Sequence, residues 1–257
     1  MLLSEGGEIM MKIPVLGIPV LNRADLFLRC IRSIDYQVDK LVVVNNGDDA
    51  GVKTAIEQLH IENDFNLSVY KPDYNIGVAA SWNYIIKSNP KRDYWLLVGS
   101  DIKFTPGDLD KMDRFIRAHR DYVTIPANWG HSLFAITPAG INGVGYFDES
   151  YWPAYSEDQD HMYRVKLAGL PWADCPDVKA VHGEPPLWGS STVWSDPKLN
   201  KQCGITQKNN LEFHKQKWGG PPGEETFKTP YDDPTLTLKD CPLDKDLLSA
   251  NGHPEYS

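Results

Sequence analysis

The chain has 257 residues, 41% of them hydrophobic and 24% charged, which is the balance of an ordinary globular protein with apolar side chains enough for a sizeable core. A formal charge of −9 argues against a surface built to grip phosphate backbones, and no apolar run reaches the roughly 18–20 residues that a membrane-spanning helix requires. Four cysteines without a C-x-x-C pair argue against structural zinc or a disulfide scaffold, so free thiols in a reducing, cytoplasmic setting are expected. The N-terminal MLLSEGGEIMMK has no basic stretch followed by an apolar one, so no signal peptide is expected.

In chain order, residues 13–18 form a first apolar, strand-like run. A helix follows, with Leu26, Phe27, Cys30, Ile31 and Ile34 at helical spacing and Asn22 as its expected cap. Residues 41–45, 67–70 and 94–98 are further strands. A helix over 78–87 presents Val78, Trp82, Ile85 and Ile86. Thr105-Pro106-Gly107-Asp108 reads as a cap with proline at the first helical position, opening a helix that presents Leu109, Met112, Phe115 and Ile116. Residues 132–136 and 178–181 are expected strands. Residues 157–168 are an expected helix closed by Gly169, with Ser156 and Gln159 as a capping box. Beyond His182 the chain turns rich in Pro, Gly and Trp, with one short helix over 207–218.

Strand–helix–strand units of this length imply an α/β fold with a mainly parallel sheet, whose ligands bind beyond the carboxyl ends of the strands. Those ends carry Pro19 and Asn22, then Asn45 through Asp49, then Asp73, Asn75 and Gly77, then Ser100 and Asp101. Each cluster alone is an ordinary turn. Their arrival at one edge marks a site.

Five segments in order resemble an inverting glycosyltransferase of family 2 with the GT-A fold. They are IPVLNR at 18–23, VVVNNGD at 42–48, NIGVAASWN at 75–83, LLVGSD at 96–101, and YFDE at 146–149 followed by YSEDQD at 155–160. The resemblance implies a GT-A domain over 12–183, with a nucleotide-sugar-binding half (1–101) and an acceptor half (102–183). Residues 184–257 form an irregular C-terminal extension packed on it. Pro19, Asn22, Asn45, Asp48, Asn75, Gly77, Asn83 and Ser100 fall at donor-binding positions of the family pattern, Asp48 being the expected contact to the nucleoside. The segment at 96–101 resembles the metal-binding D-x-D region, but Gly99 replaces its first acid. Asp101 is left, and His182 stands where a late histidine completes the site in related enzymes, holding Mn²⁺ or Mg²⁺.

Inversion needs a base to take the acceptor proton. Asp158 is the candidate, with Glu157 next. Acids in a helix's first turn also simply complement the dipole, and that alternative stays open. Trp129, Trp152, Trp172, Trp188 and Trp194 are available to pack on sugar C–H faces, Trp152 by its position above all. The resemblance implies a nucleotide-sugar donor, with uridine as the nucleoside, and a glycan or other hydroxyl-bearing acceptor; a modified nucleic acid is disfavoured by the net charge. Gly99 keeps open a nucleotide-sugar-binding module without turnover. A nucleotidyltransferase would need a glycine-rich phosphate loop after the first strand, and residues 18–22 are nothing like one.

Overall fold

Strands and helices alternate through the first half as the apolar spacing requires. In the computed structural model, which describes residues 11–62, 64–189 and 191–256, β1 (Leu16–Val20), β2 (Leu41–Asn45), β3 (Leu67–Tyr70) and β4 (Trp95–Val98) are linked by α1 (Ala24–Arg32), α2 (Ala50–Glu62) and α3 (Gly77–Lys87). The expected absence of a signal peptide rests on residues outside the described ones. After β4 come β5 (Ile102–Lys103), α4 (Asp108–Ala118), β6 (Thr124–Ala127), β7 (Gly130–Ile136), α5 (Pro138–Val144) and α6 (Glu157–Leu167). The chain continues through β8 (Val181–Glu184), β9 (Leu187–Trp188), α7 (Ser191–Trp194), α8 (Pro197–Trp218) and α9 (Lys245–Ala250).

The main sheet has the order β3-β2-β1-β4-β7-β6. β1 to β4 are parallel, and the β6–β7 hairpin adds to β4 in the antiparallel sense. Alternation along each strand sends side chains to two faces. Leu16, Ile18, Leu41, Val43, Leu96 and Val98 pack under α1, α2 and α4. Val42, Val44, Leu97 and Phe134 pack under Ala79, Trp82, Ile85 and Ile86 of α3. A second, small sheet, β5-β8-β9, pairs Ile102 with His182.

Several expected boundaries move, each for a local reason. Asn22 is not the cap of α1. Arg23 holds that place in the left-handed region, and Asn22 Nδ2 donates to Thr192 O at 3.2 Å. Helix α4 starts at Asp108 rather than Pro106, because Gly107 takes φ +84° and Asp108 Oδ2 accepts from Thr105 N–H. The capping box of α6 does not form, since Ser156 is left-handed (φ +76°) with no side-chain cap bond. The strand expected at 178–181 begins instead at Val181. The carbonyl of Ala180 is taken by Asn128 Nδ2 and Trp129 Nε1. Helix α8 runs for 22 residues, starting ten positions earlier than expected, because Asp196 accepts from the N–H groups of Lys198 and Leu199 and Pro197 follows it.

Residues after 184 pack on the rest of the chain. Leu247 of α9 joins Tyr151 and Phe213, and Asn251 Nδ2 donates to Trp152 O at 2.9 Å.

Candidate active site

A cavity of about 420 Å³ opens at the carboxyl ends of β1 and β4, lined there by Pro19, Val20, Gly99, Ser100 and Asp101. This is the edge at which the ligands of open α/β sheets bind. Thr192 of α7 and Leu199 and Cys203 of α8 also line it.

Asp101 and His182 meet at its wall. They come from different sheet segments, Asp101 just before β5 and His182 within β8, and the β5–β8 pairing brings them together. Asp101 Oδ1 lies 3.2 Å from His182 Nε2, and both residues are less than 10% exposed. Asp101 Oδ2 is buried without a partner among the described residues. A carboxylate oxygen left unsatisfied beside an imidazole nitrogen is a donor set that a divalent cation completes. Gly99 keeps the approach open, for a Cβ there would come within 3.2 Å of Asp101 Oδ1. Arg29 fixes the pair from behind, its Nη2 donating to both Asp101 O and Gly183 O at 2.9 Å. Trp129 packs edge-on against His182 with ring centroids 5.5 Å apart.

The loop before α3 forms another wall. Asn46 Nδ2 donates to Ser81 Oγ, and Asn46 Oδ1 accepts from Ile76 N–H, so the end of β2 holds this loop in place. Gly77 adopts φ +83°, and a Cβ there would meet Pro153 O at 2.9 Å. Only glycine suits both constraints. Trp152 is buried and does not line the cavity, contrary to expectation; its indole N–H donates to Asn75 O at 2.7 Å and ties the 152–155 segment to the loop. Trp82 and Trp129 are tryptophans that do line it.

The start of α6 supplies Glu157 and Asp158, both on the cavity wall. Glu157 is 5% exposed, with Oε2 lacking a partner among the described residues. Burial, reinforced by the neighbouring Asp158, pushes its carboxyl well above the usual range. The shift favours the neutral, protonated form of this carboxyl. Asp158 is half-buried, and one of its oxygens accepts from Gln159 N–H.

Asp160 points the other way, into a fully buried cluster. Lys217 Nζ donates to Asp148 Oδ2 and Asp160 Oδ1 at 2.7 Å each, Trp218 Nε1 donates to Asp160 Oδ1, and Arg164 Nε donates to Asp160 Oδ2. Burial alone would raise Asp160, but Arg164 and Lys217 outweigh it and hold the carboxyl below its ordinary range. Asp148, Asp160 and Cys241 stand close enough to bind a metal. Lys217 and Arg164 together already balance the two carboxylates, so this cluster is a structural lock between α6 and α8.

The structure thus brings Pro19, Asn75, Gly77, Ser100, Asp101, Glu157, Asp158 and His182 to one cavity. Four expected site residues lie off it. Asn22 bonds α7, as described. Asn45 Oδ1 accepts from Gly47 N–H, and it is Asn46 that reaches the cavity. Asp48 is exposed and ion-paired with Lys71 at 3.0 Å. Asn83 clamps the Phe147 backbone through both amide atoms and donates to Glu149. Arg29 and His131 were not anticipated. His131 lines the cavity from β7.

Residues 16–135 match the family model described as glycosyl transferase family 2. Two solved structures overlay nearly the whole chain. A mannosyltransferase, PcManGT from Pyrobaculum calidifontis in complex with GDP-Man and Mn²⁺, matches with a TM-score of 0.58 and 14% identity, over 95% of this chain and 73% of that one. GalNAc-T7 with UDP, GalNAc and Mn²⁺ matches with a TM-score of 0.63 and 9% identity, over 96% of this chain and 55% of that one. The fold is GT-A. A galactofuranosyl glycosyltransferase of Leishmania donovani is 34% identical over 70 residues, 27% of this chain and 14% of that protein's length. No helix among the described residues is long and apolar enough to cross a membrane.

Proposed function

We propose that the chain is a metal-dependent, inverting glycosyltransferase that transfers a sugar from a nucleoside-diphosphate sugar, with uridine as the nucleoside, to an acceptor hydroxyl. The observation that carries this reading is the Asp101–His182 pair, with its unsatisfied carboxylate oxygen, on the wall of the cavity that Asp158 also lines. Mn²⁺ or Mg²⁺ held by Asp101 and His182 would supply the positive charge that offsets the departing diphosphate. Arg29 keeps the two ligands in register through the carbonyls of Asp101 and of Gly183, next to His182, and the Asn75–Gly77 loop shapes the donor side. Asp158 takes the proton of the attacking hydroxyl. Glu157, whose buried carboxyl is shifted toward its protonated form, is less suited to that task and serves as a hydrogen-bond donor. The GDP-Man, UDP and Mn²⁺ bound by the neighbours in fold support the donor and metal classes. A glycan or another neutral hydroxyl compound suits a chain of this charge better than nucleic acid as acceptor.

Calorimetry with UDP tests the metal site. Asp101→Ala is expected to weaken UDP binding at least about tenfold in Mn²⁺, as loss of metal-site residues does, and to leave binding in EDTA unchanged. Equal affinity of the wild type and the variant in Mn²⁺ would remove the metal from this account.

A further inference from the structure

One wall of the cavity is used neither by the metal pair nor by the base. His131, on β7, and Glu157, at the start of α6, both line it. Each carries a buried polar atom, Nε2 and Oε2, that lacks a partner among the described residues. Such atoms destabilise a fold, so two of them on one cavity wall point to a ligand that satisfies them.

The ring of His131 is held in place. Phe134 packs at 4.6 Å and Trp82 at 6.4 Å, with His161 edge-on behind it at 6.4 Å, itself stacked on Phe147. The position of the wall is equally defined. The backbone of Ser132, next to His131, accepts from Gly99 N–H at 2.7 Å, and Trp129, two residues before it, packs on His182. His131 therefore shares the cavity with the metal pair and lies within electrostatic reach of Asp158. Between the diphosphate and the base is where a transferred sugar must sit.

The chemistry of the wall narrows the sugar. Burial raises the Glu157 carboxyl and depresses His131 against the opposing pull of Asp158 and Asp174, so both are shifted toward their neutral forms. A carboxylic O–H and a neutral imidazole match sugar hydroxyls, which donate and accept in turn. The Asp158 carboxylate neighbouring both would repel a second anion.

We infer that His131 and Glu157 form the sugar-reading wall of the donor site, and that this wall takes an uncharged, hydroxyl-bearing sugar and rejects a uronic acid. The inference rests on the glycosyltransferase reading above. Titration calorimetry in Mn²⁺ with UDP, UDP-glucose, UDP-galactose, UDP-N-acetylglucosamine, UDP-glucuronic acid, GDP and GDP-mannose tests it.

At least one neutral nucleotide sugar is expected to bind about tenfold tighter than its bare nucleotide, and UDP-glucuronic acid no tighter than UDP. His131→Leu should erase the gain while leaving the nucleotide's own Kd within about twofold, which also shows that the variant is folded. Glu157→Gln, which keeps a neutral donor, should retain most of the gain, and Glu157→Leu should lose it. The inference is overturned if no sugar adds affinity, if glucuronate adds as much as a neutral sugar, or if the gain survives His131→Leu. Failure of both nucleotides to bind at all would instead strike the underlying reading, and the sugar wall would fall with it.

Discussion

Asp158→Asn is expected to lower kcat by at least about 10²-fold, the lower end of what a general base contributes, with donor Kd and melting temperature little changed. The amide keeps the shape of the carboxylate and an oxygen that can accept from Gln159 N–H, yet it cannot take a proton. If Asp158 served only the helix dipole, the loss would appear in stability, at most about 1 kcal/mol, and kcat would stand. Glu157→Gln is the paired control. Its wild-type carboxyl is buried and shifted toward the protonated form, so an uncharged amide is a close substitute, and activity should stay within about tenfold of wild type. The stability of that variant carries its own signature. A carboxyl raised on folding means that the native state binds the extra proton, so wild-type stability falls as pH rises from the unfolded value, near 4.5, toward the raised native one. Glu157→Gln should lack that slope and gain stability relative to wild type at neutral pH. A dead Glu157→Gln beside an active Asp158→Asn would move the base by one residue.

Lys217→Met should be among the most destabilising single substitutions in the chain, costing about 3–5 kcal/mol, the range for breaking a fully buried ion pair. Its ammonium is the bridge between Asp148 and Asp160, and none of the three is exposed. Removing it leaves Asp148 in the interior without its cation, its other oxygen accepting from the Ser150 N–H. Adding Asp148→Asn to Lys217→Met should recover part of the loss, because Asp160 keeps Arg164. Urea unfolding at pH 7 checks both variants. A loss below about 1 kcal/mol for Lys217→Met would mean that the cluster is not the lock between α6 and α8.

The parallel half of the sheet was legible because strands such as 41–45 are continuous apolar runs and α1, α3 and α4 carry helical apolar spacing. Helix α2 went unassigned although Val52, Ala55, Ile56 and Leu59 hold that spacing. Gly47, Asp48, Asp49 and Gly51 are turn-favouring residues at its start and mask the helical pattern. At the site, motif order sufficed to bring Asp101, His182, Glu157 and Asp158 together, since each sits where a strand or helix boundary fixes it. Asn45 and Asn46 differ by one residue in a turn, and which of them faces the cavity depends on a φ/ψ choice that spacing does not reveal. Asn83 belongs to the same motif as Gly77, but two turns along the helix it meets the Phe147 backbone instead of the cavity. His131 had no signal at all. A lone histidine on a strand is ordinary, and only the fold shows that it faces the same space as Glu157.

The most direct measurement is the release of free nucleoside diphosphate from a panel of neutral UDP- and GDP-sugars, followed in Mn²⁺ and in EDTA. The account predicts steady turnover of at least one donor in Mn²⁺, abolished by EDTA, restored by added metal, and reduced at least about 10²-fold in Asp158→Asn. Donor binding with no turnover by any of them, acceptor glycans included, would contradict it and leave a nucleotide-sugar-binding module.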